Sequence, residues 1–258
     1  MKNHELYRRV THTEYKGLKK IGDKGPQSWL RKIIDELDEI EYRKYIGDKG
    51  ETVNDRYIKI SPHAHIWPRN LGGFALFMAA ASSFIMLSSE STKEDPEYAG
   101  LISLVISLSI LALCIIYYYT MPKKEIIFDR MHGTITFPGW MWSKNITMPF
   151  DVIKFSYTTG GANLIGAYQL QLIRPDKVGS TLFFAFGGDD CYQDLSLITW
   201  YMDKNRPLPP QKAFDPYREK DFLRRKKAAF QKPLYPSRIP TPEATPEQQA
   251  EREKAWKG

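Results

Sequence analysis

Two long apolar runs constrain this chain more than any other feature. Residues 71–89 and 99–121 contain no Asp, Glu, Lys, Arg or His. At a rise of about 1.5 Å per residue, each run is long enough to cross a hydrocarbon core of about 30 Å. Buried helices of soluble proteins are usually shorter and carry a polar face. The runs therefore predict a transmembrane hairpin over residues 71–121, and we expect its first span to stay as an anchor rather than be cleaved as a signal peptide.

The charges that flank the two runs predict an orientation. The connection, residues 90–98, holds four acidic side chains and one lysine, whereas Lys59 and Arg69 precede the first run and Lys123 and Lys124 follow the second. By the positive-inside rule, both termini are cytoplasmic. The formal net charge of +7 is explained by basic residues near anionic lipid, and it does not require a nucleic-acid partner.

The region before the hairpin, residues 1–70, is predicted to be cytoplasmic. Residues 26–46 place apolar side chains at a spacing of three and four and charged side chains between them, which predicts an amphipathic helix. Its apolar positions include Leu30, Ile34 and Leu37. Residues 57–60 could form a short strand that completes the β domain predicted over residues 122–206.

After the hairpin, residues 122–206 change to the period of β-strands. Short β-branched and aromatic runs alternate with Gly, Pro, Asn and Asp, and Gly133 is free to take a positive φ in a hairpin turn. One helix follows, from about residue 191 to residue 204. This order of elements predicts an α+β membrane protein, with a PH-like antiparallel β-barrel and its C-terminal helix attached to the hairpin, by fold-level analogy. The predicted strands are 125–130, 134–137, 146–148, 152–157, 168–173 and 181–186.

The last region, residues 207–258, is a basic, proline-rich tail. It holds nine of the chain's 17 prolines, which predicts an extended tail that is either laid over the β domain or free in solution. Two helices are predicted within it. One covers residues 217–229, and the other begins at a capping box formed by Thr245 and Gln248.

Enzyme signatures are absent from the sequence, so we predict a protein that is not an enzyme and has no cofactor and no metal. His63 and His65 could bind a metal together with Cys191, but a juxtamembrane strand is the favoured interpretation. The spans hold no ionisable side chain that would mark an ion path, so the hairpin is predicted to be an anchor. The small polar residues Ser103, Ser107 and Ser109 are predicted to support helix pairing.

Several segments resemble an uncharacterised family of two-span inner-membrane proteins from Gram-negative bacteria. They are Ile126-Ile-Phe-Asp-Arg130 at the start of the β domain and three segments near the end of the chain, and the resemblance covers roughly residues 123–250. Members of that family have a β-rich cytoplasmic domain and a proline-rich tail, and they are often encoded beside type VI secretion spike and toxin genes. The three segments are 201–210 (YMDKNRPLPP), 213–222 (AFDPYREKDF) and 236–247 (PSRIPTPEATPE).

The resemblance implies an inner-membrane protein of a type VI secretion toxin cluster. We expect it to give immunity to a cognate effector, or to act as an accessory for it, by binding a secreted toxin or spike protein. The candidate contact residues are aromatic, because aromatic side chains dominate interface hot spots. They are Trp140 and Trp142 in a predicted exposed turn, and Tyr192 and Trp200 on the predicted helix.

Two alternatives stay open at this point. The protein could be a membrane-anchored scaffold that binds anionic lipid, or a regulatory subunit of a larger membrane assembly, and its oligomeric state, including a homo-oligomer, is open as well. In the first alternative, two basic clusters would contact the headgroups. Their members are Lys123, Lys124, Arg224, Arg225, Lys226 and Lys227.

Overall fold

The computed structural model describes residues 8–15, 30–35, 37, 52–60, 66–88, 96–159, 168–175, 181–184 and 191–257. The chain divides into two compact units. The β unit comprises Met1–Ser61, Glu125–Phe137 and Asn145–Gly258, and the helical unit comprises Pro62–Lys124 and Pro138–Lys144. The predicted acidic connection between the spans lies largely outside the described residues.

The helical unit contains two long helices, α1 (Ile66–Ser88) and α2 (Pro96–Thr120). Both are long and apolar enough to cross a membrane, as the two runs predict. They pack through small side chains, because Ala75, Ala79 and Ser107 are buried between them.

Serine hydroxyls contribute to this pairing. The Oγ atoms of Ser82 on α1 and Ser103 on α2 lie 2.9 Å apart in a hydrogen bond. Ser109 instead donates to the carbonyl of Val105 on its own helix and is exposed. The predicted pairing role is therefore confirmed for Ser103, and Ser107 is buried as that role requires.

Within the described residues, the first sheet of the β unit has five antiparallel strands in the order β1–β2–β3–β4–β5. Phe128 pairs with Ile135, and Ile135 pairs with Met148, so these alternate side chains enter the core together. On the opposite face, the hydroxyls of Thr136 and Thr147 share a hydrogen bond of 2.8 Å. The strands are Thr52–Val53, Tyr57–Ile60, Ile126–Asp129, Thr134–Phe137 and Ile146–Pro149.

Residues 57–60 form the predicted strand, β2, which joins the sheet as the antiparallel neighbour of β3. The turn between β3 and β4 also matches its prediction, because Gly133 has a φ of 64°. Asp129 stabilises this turn by accepting hydrogen bonds from the backbone N–H groups of Met131 and His132.

A second, three-stranded sheet follows, with β6 (Phe155–Thr159), β7 (Tyr168–Ile173) and β8 (Thr181–Phe184) in antiparallel order. Helix α3 (Cys191–Met202) comes next, where the sequence predicts one helix. One hydrophobic core contains side chains from both sheets and from α3. The predicted α+β class and antiparallel strands are confirmed.

The tail is ordered and packs on the β unit. It contains a 3₁₀ helix (Lys212–Tyr217), α4 (Arg218–Lys227) and α5 (Pro246–Lys257). The N–H of Gln248 donates to Thr245 Oγ1 at 3.3 Å, as the capping box predicts. Leu208 and Phe214 enter the core, so the tail is laid over the domain rather than free.

The amphipathic helix predicted over residues 26–46 is wrong for residues 30–35, which are not helical and form isolated β-bridges at Leu30 and Ile34. The N–H of Leu30 donates to the carbonyl of Phe155, and the N–H of Ile34 donates to that of Pro236. These bonds to distant backbone replace the local bonds of a helix, and Ile34 is fully buried as a result. Apart from residue 37, the rest of the predicted helix lies outside the described residues.

Candidate interaction surfaces

The outer surface of the helical unit is a large exposed apolar area. Phe77, Phe84 and Leu87 on α1 are exposed by 68%, 71% and 88%, and α2 exposes further large side chains such as Ile102. Less than a quarter of either apolar stretch is buried, whereas the core helix of a soluble protein is mostly buried. The two helices thus weakly indicate association with a membrane.

An aromatic group lies at the end of the hairpin where α1 begins and α2 ends. The ring of Tyr117 meets the rings of Trp67 and Trp142 edge-on, with centroids 6.2 and 5.0 Å apart. Trp142 also donates its indole N–H to Thr120 Oγ1 at 2.8 Å. Trp142 comes from the connection between β4 and β5, and this connection belongs to the helical unit.

Lys124 fixes the shape of that connection. Its Nζ donates to the carbonyl oxygens of Gly139 at 2.9 Å and Ser143 at 2.8 Å. The N–H of Ser143 also donates to the carbonyl of Trp140 at 2.7 Å, which closes a tight turn. The ammonium group of Lys124, predicted to contact lipid headgroups, therefore binds two backbone carbonyls.

A buried charge network binds the tail to the β unit. Asp221 on α4 is fully buried and accepts hydrogen bonds from Arg225 Nε and Arg224 Nη2, each at 2.8 Å. Arg130 Nη2 lies 3.4 Å from the same carboxylate. Arg225 also makes a bidentate pair with Glu243, at 2.7 and 2.6 Å.

The electrostatics of this network favour the ionised carboxylate. Burial alone raises the pKa of Asp221, but the positive charges of Arg130, Arg225 and Arg224 outweigh that effect and hold the pKa below its usual value. Removal of one partner from a buried ion pair of this kind strongly destabilises the folded protein, because the other charge stays buried without compensation. The network therefore has a structural role in docking the tail.

Of the basic residues predicted to contact lipid at 224–227, three have acidic partners within the protein. Arg225 is buried, Arg224 pairs with Asp221, and Lys226 pairs with Glu251. Lys227 is exposed. The charge that this cluster could offer to a lipid surface is correspondingly reduced.

A cleft of about 570 Å³ lies in the β unit between α3 and the tail. Its lining is largely apolar and includes Trp200, Leu208 and Ile239, while Asp215 and Arg218 form an ion pair at 2.8 Å within it. Clefts of this size and composition are suited to an apolar side chain or an extended peptide segment.

The four aromatic residues predicted to bind a partner are distributed over both units. Trp140 and Trp142 are exposed in the helical unit, and Tyr192 is exposed at the start of α3. Trp200 is only 3% exposed, and its indole N–H donates to the carbonyl of Pro207 at 2.8 Å. Trp200 is therefore a core side chain of the β unit, and the other three aromatic side chains are each exposed in their own unit.

Within the described ranges, no three His, Cys, Asp or Glu side chains lie close enough to hold a metal ion. His63 and His65 lie outside those ranges, and Cys191 is a buried free thiol. Sequence reasoning missed the buried position of Arg130. The only signal for it was an arginine directly after an apolar strand, and this pattern does not distinguish a buried arginine from an exposed one.

Comparisons of the chain with protein-family models, with curated proteins and with solved structures find no match.

Proposed function

We propose that this chain is a non-enzymatic inner-membrane protein that binds a partner protein through its β unit. In this proposal both termini and the β unit are cytoplasmic, and the two sheets with α3 form a PH-like barrel. The exposed apolar surface of α1 and α2 carries the proposal, because such a surface is stable in lipid and not in water. The charges flanking the two spans support the orientation.

The partner that we propose is a secreted toxin or spike protein of a type VI secretion cluster, and the role is immunity or effector assistance. The support for this setting is the sequence resemblance at residues 126–130, 201–210, 213–222 and 236–247. An anchored binder placed where a membrane-active toxin arrives could block it stoichiometrically. The proposed contact region is the β-unit cleft at Ile239, Pro240 and Pro242, because accessible apolar side chains that line a cleft favour binding of a partner's apolar groups.

The test is purification of the tagged protein from its native membranes in mild detergent, with mass spectrometry of the bound proteins. Two matched variants introduce a carboxylate into the tail: Ile239→Glu lies in the cleft, and Leu234→Glu is exposed outside its lining. We expect a toxin or spike protein in near-equal amount with the unchanged protein and with Leu234→Glu, and its loss with Ile239→Glu.

Two results would contradict this proposal. Recovery of lipid alone, or of a housekeeping membrane complex, would favour the scaffold or the regulatory subunit. Release of the protein from membranes by alkaline wash would exclude the spanning hairpin. If the expected toxin is recovered, cells exposed to it should survive when they produce the unchanged protein. Cells that produce the Ile239→Glu variant should be killed.

The lipid-binding scaffold makes a different prediction about salt. Headgroup binding by Lys123, Lys124 and residues 224–227 should weaken steeply as ionic strength rises, because screening shortens the range of exposed charges. An apolar protein interface should change little. Binding of the β unit to anionic vesicles that disappears at high salt, without any protein partner, would favour the scaffold.

A further inference from the structure

The connection between β4 and β5 exposes three apolar side chains in a row. Trp140, Met141 and Trp142 are exposed by 50%, 36% and 46%, and we name them the Trp turn. Although strands of the β unit precede and follow it, residues 138–144 cluster with the two long helices. The Trp turn is thus part of the unit that carries the exposed apolar surface.

The Trp turn has a defined shape in spite of its exposure. Met141 has a φ of 40°, a conformation that non-glycine residues rarely adopt. A Cβ atom at Gly139 would lie 2.1 Å from the carbonyl oxygen of Lys144, so only glycine fits there. Together with the two bonds from Lys124, this geometry fixes the backbone of the turn while its three apolar side chains stay exposed.

The neighbours of the Trp turn identify what would cover it. Trp142 contacts Tyr117 and Thr120, which occupy the last turn of α2, and Tyr117 contacts Trp67 at the start of α1. Tyr119, in the same last turn, is 80% exposed. Trp and Tyr side chains collect at the boundary between headgroups and hydrocarbon, where an apolar ring and a polar N–H or O–H are both accommodated.

We propose that the Trp turn inserts into the interfacial layer of the lipid bilayer, and that it is a lipid-contacting surface rather than a protein-docking surface. The inference rests on the proposed function, because it requires that α1 and α2 span a membrane. Trp142 packs against Tyr117 at the end of the apolar helix α2, where Tyr119 is exposed, so one lipid phase would cover both the Trp turn and the outer surface of the hairpin. It fixes the depth of the hairpin end at which Trp67 and Tyr117 lie.

The test uses the full-length protein in vesicles of phosphatidylethanolamine and phosphatidylglycerol. A small environment-sensitive fluorophore is attached to Met141→Cys in a background with Cys114→Ala and Cys191→Ala. Separate vesicles carry a nitroxide either near the headgroup or near the end of the acyl chain. Two matched sites serve as references: Phe77→Cys on the exposed middle of α1, and Lys227→Cys on the exposed end of α4.

The expected pattern differs for each site. The probe at Met141→Cys should be quenched at least about twofold more by the shallow nitroxide than by the deep one, because interfacial side chains lie about 5–10 Å below the headgroup boundary. The probe at Phe77→Cys should show the opposite order, and the probe at Lys227→Cys should be quenched by neither.

The references separate failure of this inference from failure of the proposed function. Quenching at Phe77→Cys without quenching at Met141→Cys would leave the spanning hairpin intact and overturn lipid contact by the Trp turn. Deep quenching at Met141→Cys would also overturn its interfacial depth. Absence of quenching at both sites would overturn the membrane-spanning hairpin, and the lipid contact with it.

Discussion

At the scale of single residues, buried charges are the most unusual feature of the β unit. Arg130 and Asp221 are fully buried, and the partly buried Lys32 has its Nζ 4.9 Å from the centre of the Phe150 ring. Charges removed from water contribute to stability only while their partners remain in place. Each therefore gives a sharp prediction.

Asp221→Asn should lower the free energy of unfolding of the β unit by about 3–5 kcal/mol, because the buried cations of Arg130 and Arg225 lose their shared anion. The measurement is urea unfolding in detergent, followed by tryptophan fluorescence. The matched control is Asp215→Asn, whose side chain is 59% exposed beside Arg218. The control should change stability by less than about 1 kcal/mol. Equal effects of the two variants would contradict the network's role.

Lys32 should make stability rise with pH in the alkaline range. Burial lowers its pKa from 10.5 to about 8. Between these values the unfolded chain holds a proton that the folded protein has lost, so the free energy of unfolding increases with pH. Below about pH 8, Lys32 is protonated in both the folded and the unfolded state, so it no longer makes the free energy of unfolding depend on pH. Lys32→Met should flatten the rise, whereas Lys227→Met should keep it.

The measurements of the free energy of unfolding at increasing pH should end near pH 10. Burial raises the pKa of Tyr15 from 10.0 to about 12, so above pH 10 the unfolded chain loses this proton first and stability falls. A rise that persists in Lys32→Met would show that another group causes it.

At the scale of elements, the C-terminal end of α4 has a defined geometry. The N–H of Phe230 donates to the carbonyl of Arg225 and the N–H of Ala229 donates to that of Lys226, which is the pattern of a Schellman motif. Ala229 has a φ of 53°, where glycine is usual.

Ala229→Gly should raise the free energy of unfolding by about 1 kcal/mol, because glycine has no Cβ atom that opposes the left-handed conformation. Ala228 is the matched control, since its φ is −86°. Ala228→Gly should lower stability by up to about 1 kcal/mol. Urea unfolding of the two variants checks both signs, and a stabilising Ala228→Gly would contradict this account.

The pairing of α1 and α2 should depend on the small side chain of Ala79 more than on that of its neighbour Ala80. Ala79 is buried between the helices, and Ala80 is exposed. A disulfide formed in Ser82→Cys/Ser103→Cys reports on the pairing, because the two Oγ atoms are 2.9 Å apart. Ala79→Leu should reduce its yield severalfold by separating the helices, and Ala80→Leu should leave the yield unchanged. Peptide mass spectrometry measures the yield.

At the scale of the whole molecule, the tail is a structural part of the β unit. Leu208, Phe214, Phe222 and Phe230 are buried. At about 1.5–3 kcal/mol for each such side chain, their burial is comparable with the 5–15 kcal/mol by which a typical domain is stable. The bonds of Arg206 to Thr241 and to the carbonyl of Tyr235 fasten the tail further.

Removal of residues 207–258 should therefore leave the β unit unfolded. The shortened chain should be cleaved rapidly by trypsin and should aggregate in size-exclusion chromatography in detergent. A chain that lacks only residues 257 and 258 should behave as the full-length protein does. A protease-resistant β unit without the tail would show that its core closes independently.

The features that depend on local pattern were predictable from the amino-acid sequence alone. The lengths of the apolar runs predicted α1 and α2, the alternation of β-branched residues predicted strands β3 to β8, and Thr245 with Gln248 predicted the start of α5. These features follow from the chemistry of neighbouring residues, which a short stretch of sequence contains.

The features that depend on distant partners became visible only once the chain was folded. Residues 30–35 have helical spacing but are not helical, because Ile34 bonds to backbone about 200 residues away, at Pro236 and Arg238. Arg130 meets Asp221 across 91 positions, and Trp142 lies against α2 instead of a strand. No local pattern records these contacts, because the free energy that selects them comes from burial and charge pairing between segments far apart in the chain.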